Sequence, residues 1–438
     1  MRMNMMQRSE GERSMEKRGA RSGWMRRFSP LVAVMIIVAL LAACSNNAGS
    51  KDEKKTIRFV VLEYSDQTLK TFQQIADDFT KENPNIEVKL ENLDWGSAYE
   101  KFVAWNSSGQ VPDGAMIGPK WIPEFRELGV IEAFDDYVDP TFLNNFSKSL
   151  IDPLTIDDKL WALPMALSTR LMYYRTDLLK EANLGVPKTW DEFLNATQTL
   201  HKDDQYGFVV QASDDETIWY YNYFLFGAGG SFLGPDGKFK VDGPANVEAL
   251  QFEVDLINKH KVTQPQPTAA GRDTVEQAFA EGKAAFYWGA PWTFARVERD
   301  NPELAKNVAV ADYPTKSGTP APMYIQDSFA LFEGSKNKQE TVDFMEFWMQ
   351  DKYHVPFSIS EGTLPVTISA GEDTFWADSP IYSEFIKSLP ASRTYPIAAS
   401  WEAVNIEVRQ AVQAAILGTP AQDALTAAQK RIEAITSR

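Results

Sequence analysis

The chain has 438 residues, of which 44% are hydrophobic, 24% charged and 12% aromatic, with a formal net charge of −16 and a single cysteine. That length accommodates two domains. The acidity argues against a nucleic-acid partner, which requires a basic surface, and one Cys excludes an intramolecular disulfide or a cysteine-rich metal site. His201, His260 and His354 are too far apart for local metal-ligand spacing. No cofactor and no transition metal are therefore expected, although a calcium site built from carboxylate oxygens stays open.

Residues 1–43 carry eight Lys/Arg against three Asp/Glu, and the last of these positive charges is Arg27. Thirteen apolar residues follow, Leu31 to Ala43. The run is short of the ~20 residues a spanning helix needs but suits a signal-peptide core. It ends in Leu41-Ala42-Ala43-Cys44, which resembles the bacterial lipobox. The expectation is a lipoprotein signal peptide over 1–43 and lipidation of Cys44. The polar stretch 44–55 reads as a flexible tether holding the folded part outside a cell membrane.

From Thr56 the pattern alternates. Thr56–Leu62 reads as a buried strand. Ser65 or Asp66 offers an N-cap for a helix with Leu69, Phe72, Ile75, Ala76 and Phe79 on one face. Ile86–Leu90 reads as a second strand, and a further helix–strand step spans Ser97 to Ile117. Downstream, Thr189 and Glu192 form a capping box. Pro244 opens a helix in its first turn, and Ala284–Trp288 is a short strand. The last forty residues are nearly all helical, with Gly418 as a stop. Strand–helix alternation predicts an α/β sheet covered on both faces.

Several segments in order resemble the family 1 extracellular solute-binding proteins, receptors of ATP-driven sugar importers. The most specific is KLWALPMALSTRLMYYRTDLLKEANLGVPKTWDEFL at 159–194. NPNIEVKL at 83–90 and VPDGAMIG at 111–118 match upstream. GAGGSFLGPDG at 227–237, FAEGKAAFYWGAPW at 279–292, EGTLPV at 361–366 and RQAVQAAILGTPAQDALTAAQKRI at 409–432 match downstream. One departure is Gly114, where the family carries a bulky aliphatic residue. The resemblance implies a type II periplasmic-binding-protein-like α/β fold of two lobes, 56–166 with 309–355 and 167–308 with 356–438. The crossovers would lie near Pro164–Arg170, Val308 and Pro356. It also implies a monomer that captures a sugar and hands it to a transmembrane permease.

Sugars present an apolar face to aromatic rings and a rim of hydroxyls to carboxylates, amides and Arg. Interlobe clefts at the carboxyl ends of strands are the preferred pockets. On that basis the candidate ligand residues are Tyr64, Trp95 and Trp121 after first-lobe strands. Arg170 on the first crossover, Trp219 or Tyr220 before the Gly227–Gly230 turn, Trp288 and Trp292 at a strand end, and Trp401 opening a late helix complete the aromatic and cationic set. Asp66 serves either as an N-cap or as a ligand contact. Arg170 serves either a ligand or an interlobe ion pair. Trp105, Trp190, Trp348 and Trp376 read as core. Gly227–Gly230 lacks the Lys-Ser or Lys-Thr of a phosphate loop. The leading reading is a non-enzymatic sugar receptor that closes on its ligand. A receptor for another solute class and a secreted glycoside hydrolase are the alternatives.

Overall fold

The computed structural model describes residues 54–438 apart from 66, 214–216, 390–391, 397, 399 and 437–438. The leader, Cys44, Asp66 and all but the last two tether residues lie outside the described residues. Lys55 is already part of the first strand.

The strands in chain order are β1 (Lys55–Leu62), β2 (Ile86–Leu93), β3 (Gly114–Ile117), β4 (Ile131–Glu132), β5 (Thr155–Ile156), β6 (Lys159–Leu160), β7 (Leu163–Thr169) and β8 (Leu171–Arg175). They continue with β9 (Tyr206–Phe208), β10 (Ala284–Gly289), β11 (Val308–Ala311) and β12 (Tyr324–Phe332). A six-stranded sheet runs β2-β1-β3-β12-β4, with β7 also paired to β12. A four-stranded sheet runs β11-β8-β10-β9, and β5-β6 form a small hairpin. β1 is parallel to β2 and β3, whereas β12 is antiparallel to β3, β4 and β7. The result is the two-lobed type II α/β fold, one sheet to each lobe.

Ile57 and Phe59 to Leu62 are buried, so both faces of β1 are covered. The helix Thr68–Glu82 presents Phe72, Ile75, Ala76 and Phe79 to the sheet, as its periodicity predicts. Phe72 stacks on Trp348 at 5.4 Å, and Trp348 meets Phe357 at 4.8 Å. Gly114 explains its own departure from the family pattern. A Cβ there would lie 2.7 Å from Met345 and Thr341 and 2.8 Å from the Phe59 ring. The helix Lys338–Trp348 thus packs directly on the β3 backbone.

The predicted N-cap differs. The helix begins at Thr68, whose hydroxyl accepts from the Tyr64 and Ser65 amides and donates to Glu361. The Thr189–Glu192 capping box and Pro244 at a helix start match expectation. So do the helices Trp401–Ile416 and Ala421–Thr436, separated by Gly418 at φ 111°. The expected change of sheet near Val308 falls later, because β11 still pairs with β8 and the chain rejoins the large sheet only at β12. Pro356 lies inside the continuous helix Asp351–Glu361, so punctuation by proline does not mark a break there.

Glu253, on the helix Pro244–Val254, is fully buried, and among the described residues neither carboxyl oxygen has a hydrogen-bond partner. Burial pushes its pKa up to about 8 from 4.5. Below 4.5 the group is protonated whether the chain is folded or not, and its contribution is at its most favourable. As pH rises from 4.5 through 8 the folded chain holds a proton that the unfolded chain releases, so the folding constant falls by up to about tenfold per pH unit. Glu253→Gln should flatten this slope in denaturant titrations between pH 5 and 8. An unchanged slope would show that Glu253 ionises without penalty.

Candidate functional site

A cleft of about 620 Å³ opens where the two sheets meet. Its first wall is built from turns at the carboxyl ends of parallel strands. Tyr64 follows β1, Trp95 follows β2, and Trp121 follows β3. The three rings form a chain, with Tyr64–Trp95 centroids at 5.7 Å and Trp95–Trp121 at 6.0 Å. Asp94 caps the helix Trp95–Ser108 by accepting from the Ser97 amide, which fixes Trp95 at the helix start. Pro119 and the short 3-10 turn Pro119–Trp121 hold Trp121 against Tyr99, Phe102 and Phe125.

Carboxylates lie beside this wall. The Tyr64 hydroxyl donates to Asp327 Oδ2 at 2.5 Å. Asp327 occupies a register shift in β12, where Asp327 faces Ala166 but Ser328 faces Pro164. Such a bulge re-aims side chains. Burial raises the Asp327 pKa to about 6, against the opposing pull of Tyr64 and Arg170. Burial, then the Asp327 charge, raises Tyr64 well above its ordinary value. Glu361 ends the helix Asp351–Glu361 and also lines the cleft.

The second wall comes from the smaller sheet and its helices. Trp292 follows β10 through Ala290 and Pro291, at the start of the helix Pro291–Asp300. Gly362, at φ 63°, packs so tightly on it that a Cβ would lie 2.3 Å from Trp292 Cβ. Arg170 stacks on the indole with Cζ 4.6 Å from the ring centroid, and Arg272 lies at 5.9 Å. Glu276, from the helix Arg272–Ala280, is buried nearby. Its pKa is raised by desolvation and pulled back by Arg296, Arg272 and Arg170. Trp219 lines the cleft against Tyr395, their rings 5.2 Å apart.

Of the residues singled out by sequence, Tyr64, Trp95, Trp121, Arg170, Trp219 and Trp292 meet in this cleft. Three do not line it. Tyr220 is buried against Phe208 and Tyr223, because it lies on the core side of a helix that is apolar nearly all round. Trp288 is 2% exposed and packed among Phe193, Phe208 and Phe224, since β10 is buried along its whole length. Trp401 stacks on Tyr395 with planes 2° apart and backs the cleft without reaching it. Sequence patterning did not single out Asp327, Glu276, Glu361, Arg272, Arg296 or Tyr395. Of these, only Glu361 falls in a motif quoted above, EGTLPV. Among the described residues no group of three or more His, Cys, Asp or Glu could hold a metal ion.

An interlobe cleft with aromatic faces on both walls and ionic groups between them is built to hold a polar solute with apolar faces. The model of the family described as bacterial extracellular solute-binding protein matches residues 65–354. The chain belongs to that family. A Brucella abortus (strain 2308) protein described as a binding protein is 30% identical over 400 residues, covering 90% of this chain and 94% of its own. The maltodextrin-binding protein MdxE of Bacillus subtilis (strain 168) is 26% identical over 337 residues, covering 74% and 72%. The maltose-bound MalE3 structure of T. maritima superposes with a TM-score of 0.78 at 24% identity, covering 87% of this chain and 99% of that one. Proteins of this family work outside the cytoplasm.

Trp288 and Trp292 offer a direct contrast. Trp288→Ala should lower unfolding free energy by about 3–5 kcal/mol, as for a large-to-small core change. Trp292→Ala, removing a ring that is only partly buried, should cost clearly less in the same denaturant titration. Equal losses would place Trp292 in the core rather than at the cleft.

Proposed function

We propose that this protein is the lipid-anchored, extracytoplasmic receptor of an ATP-driven importer, that it captures a sugar or oligosaccharide, and that it is not an enzyme. The observation that carries the reading is the pairing of aromatic walls across one cleft, Tyr64–Trp95–Trp121 on one side and Trp292 with Trp219 on the other. Indole and phenol faces cover the C–H faces of pyranose rings, while Asp327, Glu361 and Arg170 are placed to take hydroxyls. Relatives named for maltodextrin and multiple sugars support the same solute class.

Capture would proceed by closure. The lobes are close to the expected 56–166 with 309–355 and 167–308 with 356–438, with the first boundary moved to Arg170 and the second to between Ala311 and Tyr324, where the chain changes sheet. A solute that touches both walls binds the closed form better and shifts the population towards it. The permease would read that closed form. The monomer is sufficient for this, because both walls come from one chain.

Two measurements test the proposal. A thermal-shift screen with an oligosaccharide panel should find a ligand that raises the melting temperature, because a solute bound only by the folded state stabilises it. Trp292→Ala should weaken that ligand by about thirtyfold or more, the usual loss for a buried aromatic anchor. No stabilising sugar, or full affinity in the variant, would sink the reading. For the anchor, Cys44→Ala should abolish labelling of the protein by radioactive palmitate in growing cells. Undiminished label would remove lipidation at Cys44.

A further inference from the structure

The charged groups of the cleft are not equally engaged. Lys120 pairs with Glu402 at 2.6 Å. Arg299 pairs with Asp300 at 2.8 Å, and Arg296 lies 3.6 Å from Asp300 and 3.9 Å from Asp273. Arg272 lies 3.9 Å from Asp273. Arg170 differs from all of these. It is 8% exposed, and no carboxylate among the described residues comes within 4 Å of it. Among the described residues its side chain makes one hydrogen bond, from Nη1 to Ser168 Oγ, at 3.3 Å. Its guanidinium face is covered by the Trp292 indole.

A guanidinium carries five N–H donors in one plane. Stacking on an indole satisfies the face of that plane and leaves the donor edge. Asp327 and Glu276 influence Arg170 through space, but neither reaches it. A buried cation without a paired anion is costly, and sugar hydroxyls offer dipoles without compensating the charge. The need is for one negative charge in a planar, two-oxygen group that can accept two parallel N–H bonds. A phosphate monoester, close to a dianion at neutral pH, would call for a second uncommitted cation beside Arg170.

We infer that the solute is an acidic sugar bearing a carboxylate, of the uronic-acid class, and that Arg170 receives that carboxylate edge-on while Trp292 holds the guanidinium in place. This inference rests on the sugar-receptor reading and narrows it. Neutral residues of the same oligosaccharide would lie along Tyr64, Trp95 and Trp121, with Asp327 and Glu361 accepting from their hydroxyls.

The test compares acidic probes with neutral counterparts, read by calorimetry on the full folded protein, and the acid–ester pair isolates the charge. The probes are trigalacturonate against its methyl ester, xylotriose with and without a 4-O-methylglucuronate branch, and glucose 6-phosphate as the dianion. A carboxylate probe should bind, and its neutral counterpart should bind about 10–100-fold more weakly, the range for a charge-assisted hydrogen-bond pair. Arg170→Gln should erase that preference. Arg170→Lys keeps the charge but loses the planar fork, and should recover only part of it. If Arg170→Gln does not fold, the acid-to-ester ratio of the unaltered protein and of Arg170→Lys decides the matter. A neutral probe binding as tightly as its acid, or the phosphate binding best, overturns the inference and leaves the sugar-receptor reading intact. An acid preference that survives in Arg170→Gln overturns the role of Arg170. No binding by any sugar, neutral or charged, overturns both readings together.

Discussion

One residue separates the two sheets where the chain first passes between them. β7 ends at Thr169 in the six-stranded sheet, and β8 begins at Leu171 in the four-stranded one. Arg170 alone lies between. With no linker at that point, the ends of both sheets are held close together. The loops after β1, β2 and β3 on one side, and the turn after β10 on the other, therefore face a common space. Trp292 reaches Arg170 across that junction.

The same economy shapes the polar side of the cleft. The Thr68 hydroxyl accepts from the amides of Tyr64 and Ser65 and donates to Glu361. Tyr64 in turn donates to Asp327. A hydrogen-bonded network thus joins the first turn of the fold to residues nearly 300 positions later. Because the Tyr64 hydroxyl is already committed, its ring is what it offers to a solute. Tyr395 shows a comparable division of labour. It reaches the cleft, while Trp401 stacks flat behind it and Trp219 closes its side. A residue can thus serve the site without touching its contents.

Much of the fold was legible in the sequence because its signals are local. The 3.6-residue period of Thr68–Glu82, the Thr189–Glu192 box and the Pro244 start each depend on residues a few positions apart. Tyr64, Trp95, Trp121 and Trp292 were legible for a related reason, since each follows the end of a strand. Trp288 was misplaced because a strand buried on both faces lacks the alternation that tells inside from outside. Asp327 and Glu276 were missed because their roles depend on long-range pairing. A register shift in β12 is not written in its sequence, and Glu276 is one acid on an ordinary amphipathic helix. The second change of sheet was placed too early because the pairing that keeps β11 on β8 joins residues more than 130 positions apart and leaves no local signal.

The distribution of tryptophans has an optical consequence. Trp95, Trp121, Trp219 and Trp292 border the cleft, whereas Trp288, Trp348 and Trp376 are enclosed in apolar packing. The emission of the protein is therefore a composite. One group of indoles responds to whatever fills the cleft, and the other reports the unchanging interior. A water-soluble quencher would reach the partly exposed Trp95, Trp219 and Trp292 from solvent and leave the buried indoles bright, and a solute seated between the walls would shield those three. Occupancy is thus written into the intrinsic fluorescence of the molecule, with the interior indoles as a built-in reference signal.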